Sequence, residues 1–303
     1  MNTHSKGYLY AISAYLMWGI LPIYWKLLSN IGSLQILGFR ILFSLLLIGA
    51  ILMLRKNFTW LLIFREKKLF LVLVLGAITL SFNWGFYIWA VNSGHTLETA
   101  IGYYINPLIS IIFGLCFFRE KLKTMQWIAF ILAAAGVLVM TFYANTPPWI
   151  ALGLALSFGL YGLLKKTVTL SALESLGAET LIAAPLGLLF LFTSQGNSGG
   201  FFSIRALYDI SKLPLSAHLL LLGCGAVTSL PMYLFAKSTK LLPLSTVGFV
   251  QFISPTLAFF EGVFIFREPF PFYYFIVFGC IWIAVILYII SLKAIPDRKK
   301  QNV

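Results

Sequence analysis

The chain has 303 residues, of which 60% are hydrophobic, 17% aromatic and only 10% charged, with a formal net charge of +13. Soluble domains carry about 25% charged residues, so this composition excludes a water-wetted surface and makes lipid the natural solvent. The basic residues are scattered between apolar runs and not gathered on one face, which argues against a nucleic-acid partner.

A hydrocarbon layer about 30 Å thick takes about 20 apolar residues per helical span. The sequence predicts ten spans: 7 to 29, 33 to 54, 69 to 91, 97 to 118, 124 to 143, 149 to 164, 172 to 194, 215 to 236, 241 to 266 and 270 to 292. The sixth is the shortest. All the runs are continuously apolar and rich in Leu and Ile, without the alternation of a membrane β-strand, so the expected class is an all-α membrane protein. The first run follows a single Lys6, exceeds a signal-peptide core and has no small-residue cleavage site behind it, so it is read as a retained span. Cys116, Cys224 and Cys280 fall singly inside spans, which suggests small apolar core residues and neither a disulfide framework, a metal site nor a cofactor.

Loops retained in the cytoplasm collect Lys and Arg. One side of the ten-span layout holds Lys6, the cluster from Arg55 to Lys68, Arg119 to Lys123, Lys165 with Lys166, Lys237 with Lys240, and the basic tail from Lys293. The other side holds only Arg205, Lys212 and Arg267, while Lys26 and Arg40 fall inside spans. Both termini are therefore expected in the cytoplasm of a cell with this protein in its cytoplasmic (inner) membrane. The polar segment from Gln195 to Pro214 becomes an external loop, a solvated connector with no phosphate-loop motif.

The sequence also repeats. One offset lays Ser81 on Ser229, Tyr87 on Phe235, Pro107 on Pro255, and Phe118, Arg119 and Glu120 on Phe266, Arg267 and Glu268. A slightly shorter offset places Trp18 and Gly19 on Phe158 and Gly159, and Lys26 on Lys166. The expected organisation is two five-span halves, 1–145 and 146–303. Five spans per half is an odd number, so the second copy enters the membrane from the opposite side. Such inverted 5+5 repeats around a central cavity are the geometry of secondary transporters, in which the halves exchange conformations and expose the cavity to each side in turn.

Proline within a span frees a carbonyl that lipid cannot satisfy, so Pro22, Pro107, Pro185, Pro231 and Pro255 point to helices lining protein or a wet cavity. Pro107 and Pro255 are repeat partners, each preceded by a polar residue, Asn106 and Ser254. Around them Tyr15, Trp18, Asn83, Trp84, Tyr87, Tyr103, Tyr104, Tyr161, Tyr233 and Gln251 offer an amphipathic lining suited to a partly aromatic or uncharged solute, or to a cation held over a ring. Asn83 and Gln251 carry the sharpest signal, because an amide alone in lipid is costly.

Ionisable groups inside spans are functional candidates by default. Arg40 and Glu179 occupy the same place in each half and suggest either a structural pair or a gate or proton site. Glu98, with Glu179 a candidate for the titrating group, lies just after His95 at the start of span four, where it is alternatively an acid favoured by the helix dipole. Glu261 is close enough to a boundary to snorkel, and Glu120 and Glu268, at span ends, are expected as interfacial anchors.

No metalloprotease, nucleophile-elbow, Walker or Cys/His metal motif occurs, so enzyme chemistry has no visible seat. A lipid-modifying or scrambling enzyme would need a reactive triad at the membrane surface. A non-transporting membrane subunit would need a packed partner face and no polar cavity. The expected partners are a small-molecule substrate, the lipid bilayer and protons as a candidate drive.

The stretches Gly94–Glu98, Gly102–Leu108, Ser175–Thr180, Leu242–Phe249 and Gln251–Leu257 resemble the EamA-type drug/metabolite transporter superfamily, in particular its RarD branch. The likeness runs over nearly the whole chain. It implies ten helices in an inverted repeat, cavity-lining roles for helices one, three, four, six, eight and nine, and export of small metabolites or drugs. Many members carry Gly before the glutamate where this chain has Arg119 and Arg267.

Overall fold

The computed structural model describes residues 3–61, 66–93, 95–144, 148–193, 210–265, 267 and 272–293. Its long helices are α1 (Thr3–Lys26), α2 (Ser33–Leu54), α3 (Lys67–Asn92), α4 (Thr96–Phe118), α5 (Thr124–Ala144), α6 (Trp149–Thr167), α7 (Ala172–Leu191) and α8 (Leu215–Leu241). The ninth span is broken into α9 (Leu244–Gln251), α10 (Ile253–Phe260) and a π-helical turn (Glu261–Ile265), and α11 (Tyr273–Lys293) is the tenth. Among the described residues nine spans are long and apolar enough to cross a membrane. Helix α1 matches them in length, but its tyrosines and tryptophans dilute its apolar character. Most of the expected external loop, 194–209, lies outside the described residues, as do Phe266 and Glu268.

The polarity of the bundle is inside out. Leu138 is 69% and Phe142 80% exposed, whereas Lys165, Ser175 and Glu179 are 1%, 0% and 4% exposed. Apolar groups outside and paired polar groups inside is the arrangement lipid demands.

The two halves interdigitate. Helix α2 packs on α7 and α5 on α11; α1 lies against α8 and α3 against α6; α4 lies against α6 and α1 against α10. Exchanging the halves maps this pattern onto itself, and with five spans in each half the exchange turns one copy upside down relative to the other. Small residues permit the closest crossings, as is usual between membrane helices. A Cβ on Gly38 of α2 would stand 2.7 Å from the Gly187 carbonyl of α7, and one on Gly225 of α8 would stand 2.5 Å from the Phe43 carbonyl of α2.

Two expected spans change. Span six runs on to Thr167, a turn that carries Lys165 into the bundle instead of leaving it in a loop. Span nine breaks at Phe252, because Pro255 has no N–H to give the carbonyl of Gln251 and its ring crowds that carbonyl. Its repeat partner Pro107 sits inside an uninterrupted α4.

Arg119 and Arg267 both adopt the left-handed conformation, at φ 52° and 55°, and Arg119 caps α4 there. Glycine takes that conformation without steric cost, so an arginine at each of these positions carries a modest backbone strain. The turn delivers Glu120 to the start of α9 in the other half. One carboxylate oxygen accepts the N–H of Leu244 at 2.6 Å and the other accepts the N–H of Ser245 at 2.8 Å, with Lys166 Nζ 3.5 Å away. Glu120 is thus an inter-half helix cap and not the expected interfacial anchor.

Candidate functional site

A cavity of about 710 Å³ lies where the halves meet. Helix α1 contributes Tyr15, Trp18 and Pro22; α2 contributes Ser33 and Arg40; α3 contributes Asn83, Trp84 and Tyr87. Helix α4 supplies Tyr103, Tyr104 and Asn106, and the broken ninth span supplies Gln251, Ser254, Pro255 and Gly262. Tyr274 and Phe278 of α11 complete one wall, while α6 and α8 give only Phe158 and Met232. The lining therefore belongs mostly to the first half and the ninth span, a more lopsided set than the family resemblance implies.

The amides are held in place. Asn83 donates to the Leu154 carbonyl at 2.9 Å and to Ser157 Oγ at 2.8 Å, which fixes α3 against α6. Gln251 Oε1 accepts from Tyr15 at 3.4 Å and Ser110 at 3.3 Å, so it joins α1, α4 and α9 at the helix break. Tyr104 donates to the Pro255 carbonyl at 2.9 Å across the same gap. Asn106 is buried and its Oδ1 has no partner. Trp18 packs its ring at 5.4 Å from Tyr15 and 5.7 Å from Phe158, and Tyr87 meets Tyr103 edge-on at 5.7 Å.

Several residues singled out in the sequence stand elsewhere. Tyr161 is fully buried away from the cavity and donates to Glu179 Oε2 at 3.0 Å. Tyr233 lies under Lys237, whose Nζ is 4.9 Å from its ring centroid, as it is 5.1 Å from that of Tyr10. Pro107 and Pro231 are helical but do not line the cavity. Glu98 pairs with His95 Nδ1 at 3.0 Å in the first turn of α4.

Arg40 and Glu179 do not pair with each other. Glu179 Oε2 accepts from Lys165 Nζ at 2.8 Å, and Lys165 also donates to Ser175 Oγ at 2.5 Å, a cluster closed inside α6 and α7. Sequence reasoning missed Lys165 because basic residues at span ends ordinarily stay in the loop. Arg40 instead lies between two indoles, its guanidinium carbon 4.7 Å from the Trp25 ring and 4.4 Å from the Trp84 ring, with Nε donating to Thr228 Oγ1 at 3.1 Å. Trp25, at the end of span one, is not among the residues singled out in the sequence. Glu261 does not snorkel: it is 6% exposed inside the π-helical turn, and its Oε2 has no hydrogen-bond partner.

Between Arg40 and Glu179 lies a second, much smaller hollow of about 30 Å³. Its walls come in repeat-related pairs: Arg40 with Glu179, Ile41 with Thr180, Ser44 with Ala183, Ser81 with Ser229, and Trp84 with Met232. The hollow thus marks the axis that relates the halves. The larger cavity adjoins it through Arg40 and Trp84, which line both.

A ten-span bundle of two interlocked halves enclosing a solute-sized cavity defines a multi-pass membrane protein of the transporter type. Comparison with known proteins agrees. The model of the EamA-like transporter family matches twice, over residues 5–142 and 147–290, and the chain belongs to that family. It is 39% identical to the uncharacterized transporter YojE of Bacillus subtilis (strain 168) over 94% of each chain. It is 36% identical to protein RarD of Escherichia coli (strain K12), again over 94% of each chain. A crystal structure of another protein, 16% identical, superposes with a TM-score of 0.70 over 96% of this chain and 100% of that one, and shares the fold.

Proposed function

We propose that the chain is a secondary carrier that moves a small organic solute across the cytoplasmic membrane by alternating access, in the direction of export, with the proton gradient as its drive. The observation that carries this reading is the cavity of about 710 Å³ at the junction of two inverted halves, a volume suited to a small molecule. Names given to its relatives, such as transporter YojE, point the same way.

The lining extends to the exposed Ser29 and to Ser33 between α1 and α2, and to Tyr103 near the start of α4, which is 47% exposed. With both termini in the cytoplasm, these ends all face outward. The opposite ends are drawn together by Glu120 on the start of α9 and by Lys166, which donates to the Leu242 carbonyl at 2.6 Å. The conformation is then outward-open, and Glu120 and Lys166 belong to the contacts that must part when the carrier opens inward.

The test is transport by purified protein in proteoliposomes, with and without a pH gradient, using a ligand found by thermal-shift screening. Asn83→Ala and Gln251→Ala are expected to lower the rate about tenfold or more, because each removes one or two hydrogen bonds of the wall. Wild-type rates from both folded variants would refute the cavity as the pathway.

A further inference from the structure

The charge of the cavity carries an inference about what enters it. Arg40 and Lys26 are the basic Lys and Arg side chains of the lining, and no Asp or Glu among the described residues lines it. Among the described carboxylates Glu179 is committed to Lys165, Glu120 to the start of α9, Glu98 to His95 and Glu174 to the cap of α7, while Glu66 and Glu261, the latter next to lining residue Gly262, are not in the lining. No described carboxylate pairs with Arg40.

A guanidinium inside a membrane bundle is costly unless water or a counter-charge meets it, and Arg40 faces the cavity with no carboxylate of the chain beside it, which leaves the cavity's occupant to supply the counter-charge. The surroundings also fix its orientation. Trp25 and Trp84 cover it with ring faces and Thr228 holds Nε, so the plane is locked and the two terminal nitrogens have no hydrogen-bond partner among the described residues. A planar fork held this way matches a carboxylate, which it can bind through two parallel N–H···O bonds. The neighbouring wall of Trp18, Trp84, Tyr87 and Tyr103 offers ring faces to an apolar or aromatic body.

We infer that the cavity takes an organic carboxylate with an apolar or aromatic body, its carboxylate seated on Arg40. This rests on the carrier reading and makes it narrower: cations and neutral analogues of the same shape are poor ligands.

The probes are 3-phenylpropanoate, 3-phenylpropanamide and 3-phenylpropylamine, which share a body and differ in head group. Thermal unfolding of the purified full-length protein at neutral pH should rise with the carboxylate and stay level with the amide and the amine. Arg40→Gln should weaken carboxylate binding at least about tenfold, the loss of one charge-assisted hydrogen bond or more, and Arg40→Lys should keep part of it. The inference is overturned if the amide or amine binds as well as the carboxylate, if none of the three binds, or if the carboxylate shift survives in Arg40→Gln. It is also overturned if phosphatidylglycerol in the micelles abolishes the shift, because Arg40 would then serve a lipid headgroup. Transport separates the two readings: a neutral solute carried in an Asn83- and Gln251-dependent way keeps the carrier and removes the anion, whereas Arg40-dependent carboxylate binding without any flux keeps the anion and removes the carrier.

Discussion

Arg40 and Glu179 hold equivalent places in the two halves, face each other across the same small hollow, and have opposite fates. Glu179 is 4% exposed and saturated by Lys165, Tyr161 and Ser175. Arg40 meets only a hydroxyl and two ring faces, and opens onto the large cavity. One duplicated position is thus a closed internal joint in the second half and an open, cavity-facing cation in the first. Duplication supplies the symmetry of the bundle, and the difference in residue type at one place in it leaves a base on the large cavity and an acid in the closed cluster.

If that contrast is right, the largest stability loss follows from Glu179. Glu179→Ala strands a fully buried ammonium, and breaking a buried pair from one side costs about 3 to 5 kcal/mol. The expected outcome is a large drop in the unfolding temperature of the detergent-purified protein. The double change Lys165→Met with Glu179→Leu removes both charges and should recover most of the loss. Recovery by the double variant, together with an unchanged response of transport to a pH gradient, would also show that Glu179 is a joint and not the site of proton coupling. A loss below about 1 kcal/mol for Glu179→Ala would mean that the cluster is not the joint described here.

A smaller effect is expected where a charge is paired but only partly enclosed. Glu120 caps α9 from the other half, and loss of a cap costs about 1 to 2 kcal/mol. Glu120→Ala should lower the unfolding temperature by less than Glu179→Ala does. It should also release the inward ends of α4 and α9, which cysteine accessibility at Ser245 would report as faster labelling. Slower or unchanged labelling would place the closed gate elsewhere.

Much of this architecture is legible in the sequence, and the reasons are physical. Continuous apolar runs have no other stable home than lipid, so the spans could be read directly. The resemblance to EamA-type transporters is matched by the family model over both halves. Asn83 and Gln251 turn inward for the reason visible beforehand, the cost of a bare amide in lipid. The misreadings share a cause: each depends on which neighbour a side chain meets. Lys165 lies at a span end, where snorkelling is the ordinary outcome, and only the extra turn of α6 carries it to Glu179. The helix break at Phe252 and the intact passage through Pro107 cannot be told apart from two prolines at equivalent positions, because packing by neighbours decides which helix yields. Tyr161 and Tyr233 look like any cavity aromatic until their partners, Glu179 and Lys237, are seen.

The smallest stability change should come from Arg40 itself, and it cuts the comparison most finely. Arg40→Met removes one hydrogen bond and two cation–π contacts, each worth about 0.5 to 1 kcal/mol where water reaches the cation. It also removes an unpaired charge whose desolvation works against the fold, so the two contributions oppose each other and the net change should stay within about 1 kcal/mol. Methionine keeps the apolar contacts with Trp25 and Trp84, so the cavity wall retains its shape. A protein that keeps its unfolding temperature and loses its carboxylate shift locates Arg40 in recognition. A protein that melts as early as Glu179→Ala shows Arg40 to be a second joint, and the two halves would then differ in sign alone and not in task.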